Sequence, residues 1–288
     1  MKKIISSLLI VLLTTMLPLQ LFAAAAAQES ETYANLYAAV QGETNANAAY
    51  LAFAEKALNE GYLVIARLFQ ATADAEAKHA EDEWAILQTM GATQRPVASK
   101  PSVGSTADNL LAAFNGETYE YQVMYPEFMD TAEAEGMNAG DTNARRIFNL
   151  AKQAEEIHAG NYFEVLTNLA DTGYINSKYV TIYRCPVCGE VVVGRPGRCP
   201  ICNADGSTFI EYSGPLSVDL SAYVTKRSGN QNDLTITIVE KFADNSANTI
   251  TKTISINNNA AGKYAVGAYT VYVDTKGNTQ IRECYLTK

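Results

Sequence analysis

Two patterns of apolar and polar residues divide this chain. From about residue 31 to 171 the sequence is alanine-rich and helix-compatible, whereas beyond about residue 213 apolar and polar residues alternate, as in 234–239, 249–256 and 269–273. The first pattern predicts four helices, over about 31–60, 62–90, 106–135 and 141–171. Gly61, Gly91, Gly136 and Gly173 stand where those helices stop. Residues 91–105, with two prolines and two glycines, read as a long crossover between two helical hairpins. Ser105 or Thr106 is the expected N-cap of the third helix, and Pro126 is expected to kink it. The second pattern, broken by Asn, Asp and Gly clusters such as 274–278, predicts a small antiparallel β domain, with a sandwich as its candidate form. Between them, 179–212 shows short β-runs with Gly189, Gly194, Gly197 and Gly206 at tight turns.

The first residues carry a third pattern. Lys2 and Lys3 precede an apolar run over 4–13, a break at Pro18 and an alanine tract over 23–27, which together predict an export signal cleaved near 25–27. No cysteine follows the run to take a lipid anchor. The run is short for a spanning helix and no later segment is long enough, so no membrane span is expected after cleavage. The domain reading is therefore 1–27 signal, 28–175 helical bundle, 179–212 cysteine domain and 213–288 β domain.

Charge narrows the partners. The net charge is −9, and loss of Lys2 and Lys3 takes it to −11, so nothing attracts nucleic acid or anionic lipid.

The helices carry the chemistry. The chain has two histidines, and each lies three residues after a glutamate, as Glu76/His79 and Glu155/His158. Positions i and i+3 share a helix face, so each pair can offer a carboxylate oxygen and an imidazole nitrogen to one metal. Glu43 on the first helix, and Glu117 with Glu120 on the third, complete the carboxylate-rich ligand set of a dinuclear site inside a four-helix bundle. Solvated charges on helix faces would explain any one pair, but not four sets on four successive helices. The sets also repeat: Gly42-Glu43-Thr44 with Tyr50, then Glu76 and His79, is echoed by Gly116-Glu117-Thr118 with Tyr125, then Glu155 and His158. The repeat predicts metals on a pseudo-two-fold axis between two hairpins. Glu120 breaks it, because its counterpart is Ala46.

Four of the five cysteines form Cys185-Pro-Val-Cys188 and Cys199-Pro-Ile-Cys202. Two Cys-x-x-Cys knuckles at this spacing suit a four-thiolate metal site, with iron, then zinc, then disulfides as the readings in order. Cys284, in an expected terminal strand over 280–286, reads as a small apolar side chain.

The two motif sets in this order, across about 30–212, resemble the rubrerythrins, iron peroxidases that join a ferritin-like bundle to a rubredoxin-like domain. The resemblance implies that Glu76 and Glu155 bridge two irons, that Glu43 and Glu117 are terminal ligands, and that His158 holds one iron. It implies that the other iron exchanges between Glu120 and His79. Tyr50 and Tyr125 match tyrosines beside the di-iron centre, where they can donate hydrogen bonds to bound peroxide or a bridging oxygen; their plain reading is as core tyrosines. Cys185, Cys188, Cys199 and Cys202 would hold one iron that passes electrons onward. A homodimer is implied, with each cysteine-bound iron near the partner's di-iron site. The resulting expectation is a non-haem di-iron peroxidase that reduces hydrogen peroxide in the cell envelope. The export signal and the β domain depart from the family pattern, and outside the cytoplasm the electron donor has to be something other than NAD(P)H. Two other functions fit parts of the chain: an Fe(II)-oxidising or storing protein, and a surface-interaction protein with a structural zinc.

Overall fold

The computed structural model describes residues 28–138, 140, 143–226, 231–242, 246–257 and 259–287. The expected export signal lies outside them. Six α-helices are described: α1 (Glu31–Asn59), α2 (Leu63–Thr89), α3 (Thr106–Tyr119), α4 (Tyr125–Ala134), α5 (Ala144–Thr167) and α6 (Thr172–Lys178). Short polar side chains, Ser30, Ser105, Asn143 and Asp171, start α1, α3, α5 and α6. Ser30 Oγ accepts from the Tyr33 N–H at 3.1 Å, and Ser105 with Asp108 forms a reciprocal capping box. Three glycines end helices alike. Gly61, Gly91 and Gly136 adopt φ of +86°, +95° and +73°, and the next residue's N–H closes back on Ala57, Leu87 and Ala132 respectively.

The third expected helix is not one helix. Residues Glu120–Met124 form a π-turn between α3 and α4, and the Tyr125 N–H bonds to the Glu120 carbonyl instead of one residue later. The break therefore precedes Pro126, whose ring and missing N–H a straight α-helix cannot absorb. The fourth helix is also shorter than expected. It runs Ala144–Thr167, with its expected start at 141 outside the described residues, and Asp171 caps a separate α6.

Two apolar clusters fill the bundle. One holds Tyr50, Phe53, Leu68, Phe69 and Tyr162, the other Leu36, Trp84, Leu87, Tyr125 and Phe148. Trp84, the chain's single tryptophan, is core packing. Beyond α6 a three-stranded antiparallel sheet, β1 (Ile182–Arg184), β2 (Val191–Val193) and β3 (Ile210–Tyr212), carries the cysteine knuckles in the order β2-β1-β3. Ile182 and Val191 bury into the first bundle cluster. Arg67 clamps the junction by donating to the carbonyls of Val180 and Pro215.

The C-terminal residues form two antiparallel meanders: β4 (Ser217–Lys226), β5 (Gln231–Lys241) and β6 (Ala247–Asn257), then β7 (Gly262–Val266), β8 (Tyr269–Lys276) and β9 (Gln280–Thr287). They share one core built on Leu234, Ile236, Ile238, Val266, Val271 and Val273. The half-buried Cys284 packs against it from β9. No helix among the described residues is long and apolar enough to cross a membrane.

Candidate metal centres

The bundle brings six of the seven expected helical ligands together. Glu43, Glu76, His79 and Glu155 form one group and Glu76, Glu117, Glu155 and His158 the other, with the ligand atoms of each group within 4.8 Å of one another. Glu76 and Glu155 belong to both. Their oxygens divide between the two positions: Glu155 Oε1 lies 2.7 Å from His79 Nδ1 and its Oε2 2.7 Å from His158 Nδ1. Glu76 does the same, with Oε2 3.0 Å from His79 and Oε1 3.4 Å from His158. Glu120, the seventh, is in neither group. It sits half-buried at the start of the π-turn, near enough that its charge helps lift the Glu43 carboxyl.

The donor set fits two metal ions. Both Nδ1 atoms and both oxygens of Glu76 and Glu155 are buried without a hydrogen-bond partner, as are Oε2 of Glu43 and Oε2 of Glu117. Such a set of orphans is costly unless cations sit among them. The histidines are oriented for ligation by their other nitrogen. His79 Nε2 lies 3.0 Å from the Cys188 carbonyl and His158 Nε2 lies 3.2 Å from the Gly189 carbonyl. A carbonyl only accepts, so each Nε2 carries the proton and Nδ1 is left to the metal.

Electrostatics agree. Burial raises the Glu43 and Glu117 carboxyls well above the ordinary range, and neighbouring glutamates raise them further. Burial alone would hold both imidazoles neutral, but Glu155 lifts His79 and His158 well above their usual value. Glu155, despite its burial, is held low by the two imidazolium charges. The metal-free cluster thus traps protons where cations belong.

Each tyrosine reaches the glutamate of the other hairpin. Tyr50 Oη donates to Glu117 Oε1 at 2.6 Å, and Tyr125 Oη donates to Glu43 Oε1. Burial raises both phenols, which stay protonated as donors. Two further acids went unnoticed in the sequence. Glu83 is buried one turn after His79, with Oε1 2.9 Å from Tyr125 Oη. Glu190 is buried directly after the first knuckle, 3.1 Å from Cys199 Sγ. For Glu83 the available signal was its spacing, since i+4 keeps it on the face of His79.

Cys185, Cys188, Cys199 and Cys202 converge as the second centre. The sulfurs of Cys185 and Cys202 lie 3.5 Å apart and those of Cys188 and Cys199 3.4 Å. That is too far for disulfides and close to the ~3.8 Å edge of a tetrahedral thiolate site. Without a cation the thiols push one another apart: a hydrogen bond from Cys188 brings Cys185 down to about 5, and burial pushes Cys199 up to about 12. The first knuckle lies against the bundle cluster of its own chain, through the two carbonyl contacts and an Asn161 Nδ2 bond to the Val191 carbonyl. After α6 the cysteine sheet lies against α2 and α5 of the same chain. A separate, mainly apolar cavity of about 260 Å³ beside Leu58, Arg67 and Tyr269 touches neither centre.

The rubrerythrin sequence profile matches residues 34–166. Nigerythrin of Nitratidesulfovibrio vulgaris is 39% identical over 183 residues, which span 63% of this chain and 86% of that protein. Rubrerythrin of Porphyromonas gingivalis is 34% identical over 177 residues, 60% of this chain and 86% of its own length. Among solved structures, fully reduced, all-ferrous nigerythrin superposes with a TM-score of 0.58 at 37% identity, covering 64% of this chain and 90% of that one. The carboxylate–histidine cluster is accordingly a di-iron site, and the four cysteines form a rubredoxin-like iron site. By its ligands, its fold and these relatives, the chain belongs to the rubrerythrin family, to which it adds a C-terminal β domain.

Proposed function

We propose that this protein is a di-iron peroxidase of the cell envelope that reduces hydrogen peroxide to water, H2O2 + 2 e− + 2 H+ → 2 H2O. When bound, two ferrous ions supply the two electrons that cleave one O–O bond, and the cysteine-held iron replaces them singly. The chain's residues do the rest. Burial of Glu43, Glu76, Glu117, Glu155 and both histidines keeps bulk water from the reacting centre. Tyr50 and Tyr125 hold protons at Glu117 and Glu43, at the edge of the cluster. His79, placed between the carboxylates and the Cys188 carbonyl, offers electrons a route of one hydrogen bond. That contact is the observation that carries the proposal, because an iron-storing bundle has no use for a redox domain at its ligands. The contact described lies within one chain, and the homodimer implied by the resemblance stands beside it as part of the proposal. The envelope location rests on the leader-like residues 1–27.

Steady-state consumption of hydrogen peroxide by the iron-loaded protein, with a one-electron artificial donor, tests this reading. Turnover that collapses in Cys188→Ser supports it. Consumption no faster than that of free iron overturns it.

A further inference from the structure

The two-fold repeat of the bundle fails at a residue that the ligand set does not use. One turn after His79 on α2 stands Glu83, whereas one turn after His158 on α5 stands Tyr162. The Tyr162 ring packs edge-on against Tyr50, with centroids 5.6 Å apart. Glu83 instead presents a carboxyl to Tyr125. It is fully buried, with Oε1 2.9 Å from Tyr125 Oη and Oε2 without a hydrogen-bond partner.

Counting protons gives these contacts a direction. Tyr125 Oη touches both Glu43 and Glu83, but a phenol carries one proton. Glu43 as a metal ligand is an ionised acceptor, so the phenol proton goes there. The contact with Glu83 is then a hydrogen bond donated by a protonated Glu83 to the phenol oxygen. Glu83 is fully buried with Oε2 unpartnered, and burial raises such a carboxyl above its ordinary range, which favours the protonated form that can donate.

We propose that Glu83 is a positioning residue, which locks the Tyr125 hydroxyl onto Glu43 through a one-way chain from Glu83 to Tyr125 to Glu43, at the metal position of His79 alone. The two carboxylates without a counterpart in the repeat, Glu83 and Glu120, then both bear on the Glu43 side of the cluster. The two metal positions differ because their supporting side chains differ, although their ligand types match. The kinetic consequence rests on the peroxidase reading; the hydrogen-bond chain does not.

The experiment compares iron-loaded wild type, Glu83→Leu and Glu83→Gln, each with and without Tyr125→Phe. Ultraviolet resonance Raman difference spectra isolate Tyr125 and report whether its hydroxyl accepts as well as donates. Glu83→Met repeats the apolar arm with an unbranched side chain. The wild-type hydroxyl does both, the apolar variants leave it donating only, and Glu83→Gln, whose amide still donates, restores the wild-type signature. Iron content is unchanged, and reoxidation by one equivalent of peroxide slows about tenfold in the apolar variants but not in Glu83→Gln. An unchanged Tyr125 signature in the apolar variants overturns the proposal, as does a changed signature with unchanged reoxidation. If wild type itself is not reoxidised, the peroxidase reading fails, and the Raman signature alone decides the role of Glu83.

Discussion

A Cβ atom on Gly189 would lie 2.3 Å from Nε2 of His79. The knuckle that holds the cysteine iron and the helix that holds the di-iron site therefore meet where only glycine fits. The backbone adds its own demand, because Gly189 sits at φ +79°. In the second knuckle, where no histidine approaches, Asn203 fills the comparable left-handed position at φ +64°.

Gly189→Ala should separate the centres without emptying either. The left-handed conformation costs alanine about 1–2 kcal/mol, and the knuckle must retreat from His79. Metal content should match wild type, while electron passage from the cysteine iron to the cluster, followed by stopped-flow absorbance, should slow roughly tenfold.

The tyrosines should not be equivalent. Tyr50→Phe removes a donor to Glu117 from a ring packed among Phe53, Phe69 and Tyr162, with no second carboxyl on its hydroxyl. Tyr125→Phe also strands Glu83, a buried carboxyl that loses its contact with the Tyr125 hydroxyl. Tyr125→Phe should therefore be the more destabilising, by about 1–3 kcal/mol, in denaturant unfolding of the zinc-loaded protein.

Metal loading should release protons. His79 and His158 hold theirs above the ordinary imidazole range, and Glu43 and Glu117 above the ordinary carboxyl range. Metal must displace protons that are bound at neutral pH, so affinity rises with pH. Titration of metal-free protein with Zn(II) in weak buffer should acidify the solution, and affinity should weaken steadily from pH 8 to pH 6.

Acid should loosen the start of α1 first. Glu135 is partly screened from water, which opposes its ionisation. The backbone N–H groups of Thr32 and Glu31, each 2.9 Å from its oxygens, nevertheless hold its carboxyl below the usual range. A depressed carboxylate contributes stability above its unfolded pKa and loses it as pH falls through the folded value. Hydrogen exchange at 31–34 should accelerate below about pH 4, and Glu135→Gln should abolish that pH dependence.

The helices, the crossover and the two centres were legible because each leaves a local mark: a terminating glycine, a Glu-x-x-His step, a Cys-x-x-Cys knuckle. The π-turn was not legible, since Pro126 announces a break without saying on which side the chain absorbs it. Glu83 and Glu190 were missed for another reason. A lone glutamate on a helix or after a turn is usually solvated, and only tertiary packing seals these two. The docking of the knuckle on its own chain's histidines is likewise a long-range event, joining Cys188 to His79 across the length of α3, α4 and α5.

One spectrum tests whether one chain carries both centres in electrical contact. The iron-loaded chain, purified without oxygen and fully reduced, receives one equivalent of hydrogen peroxide while its visible spectrum and metal content are measured. About three irons per chain are expected, with the thiolate-to-iron band returning after peroxide oxidises the cluster. The return rate should not change on dilution, as the proposed path within one chain requires. Zinc at the cysteines, or a band that stays bleached after peroxide, would contradict the claim.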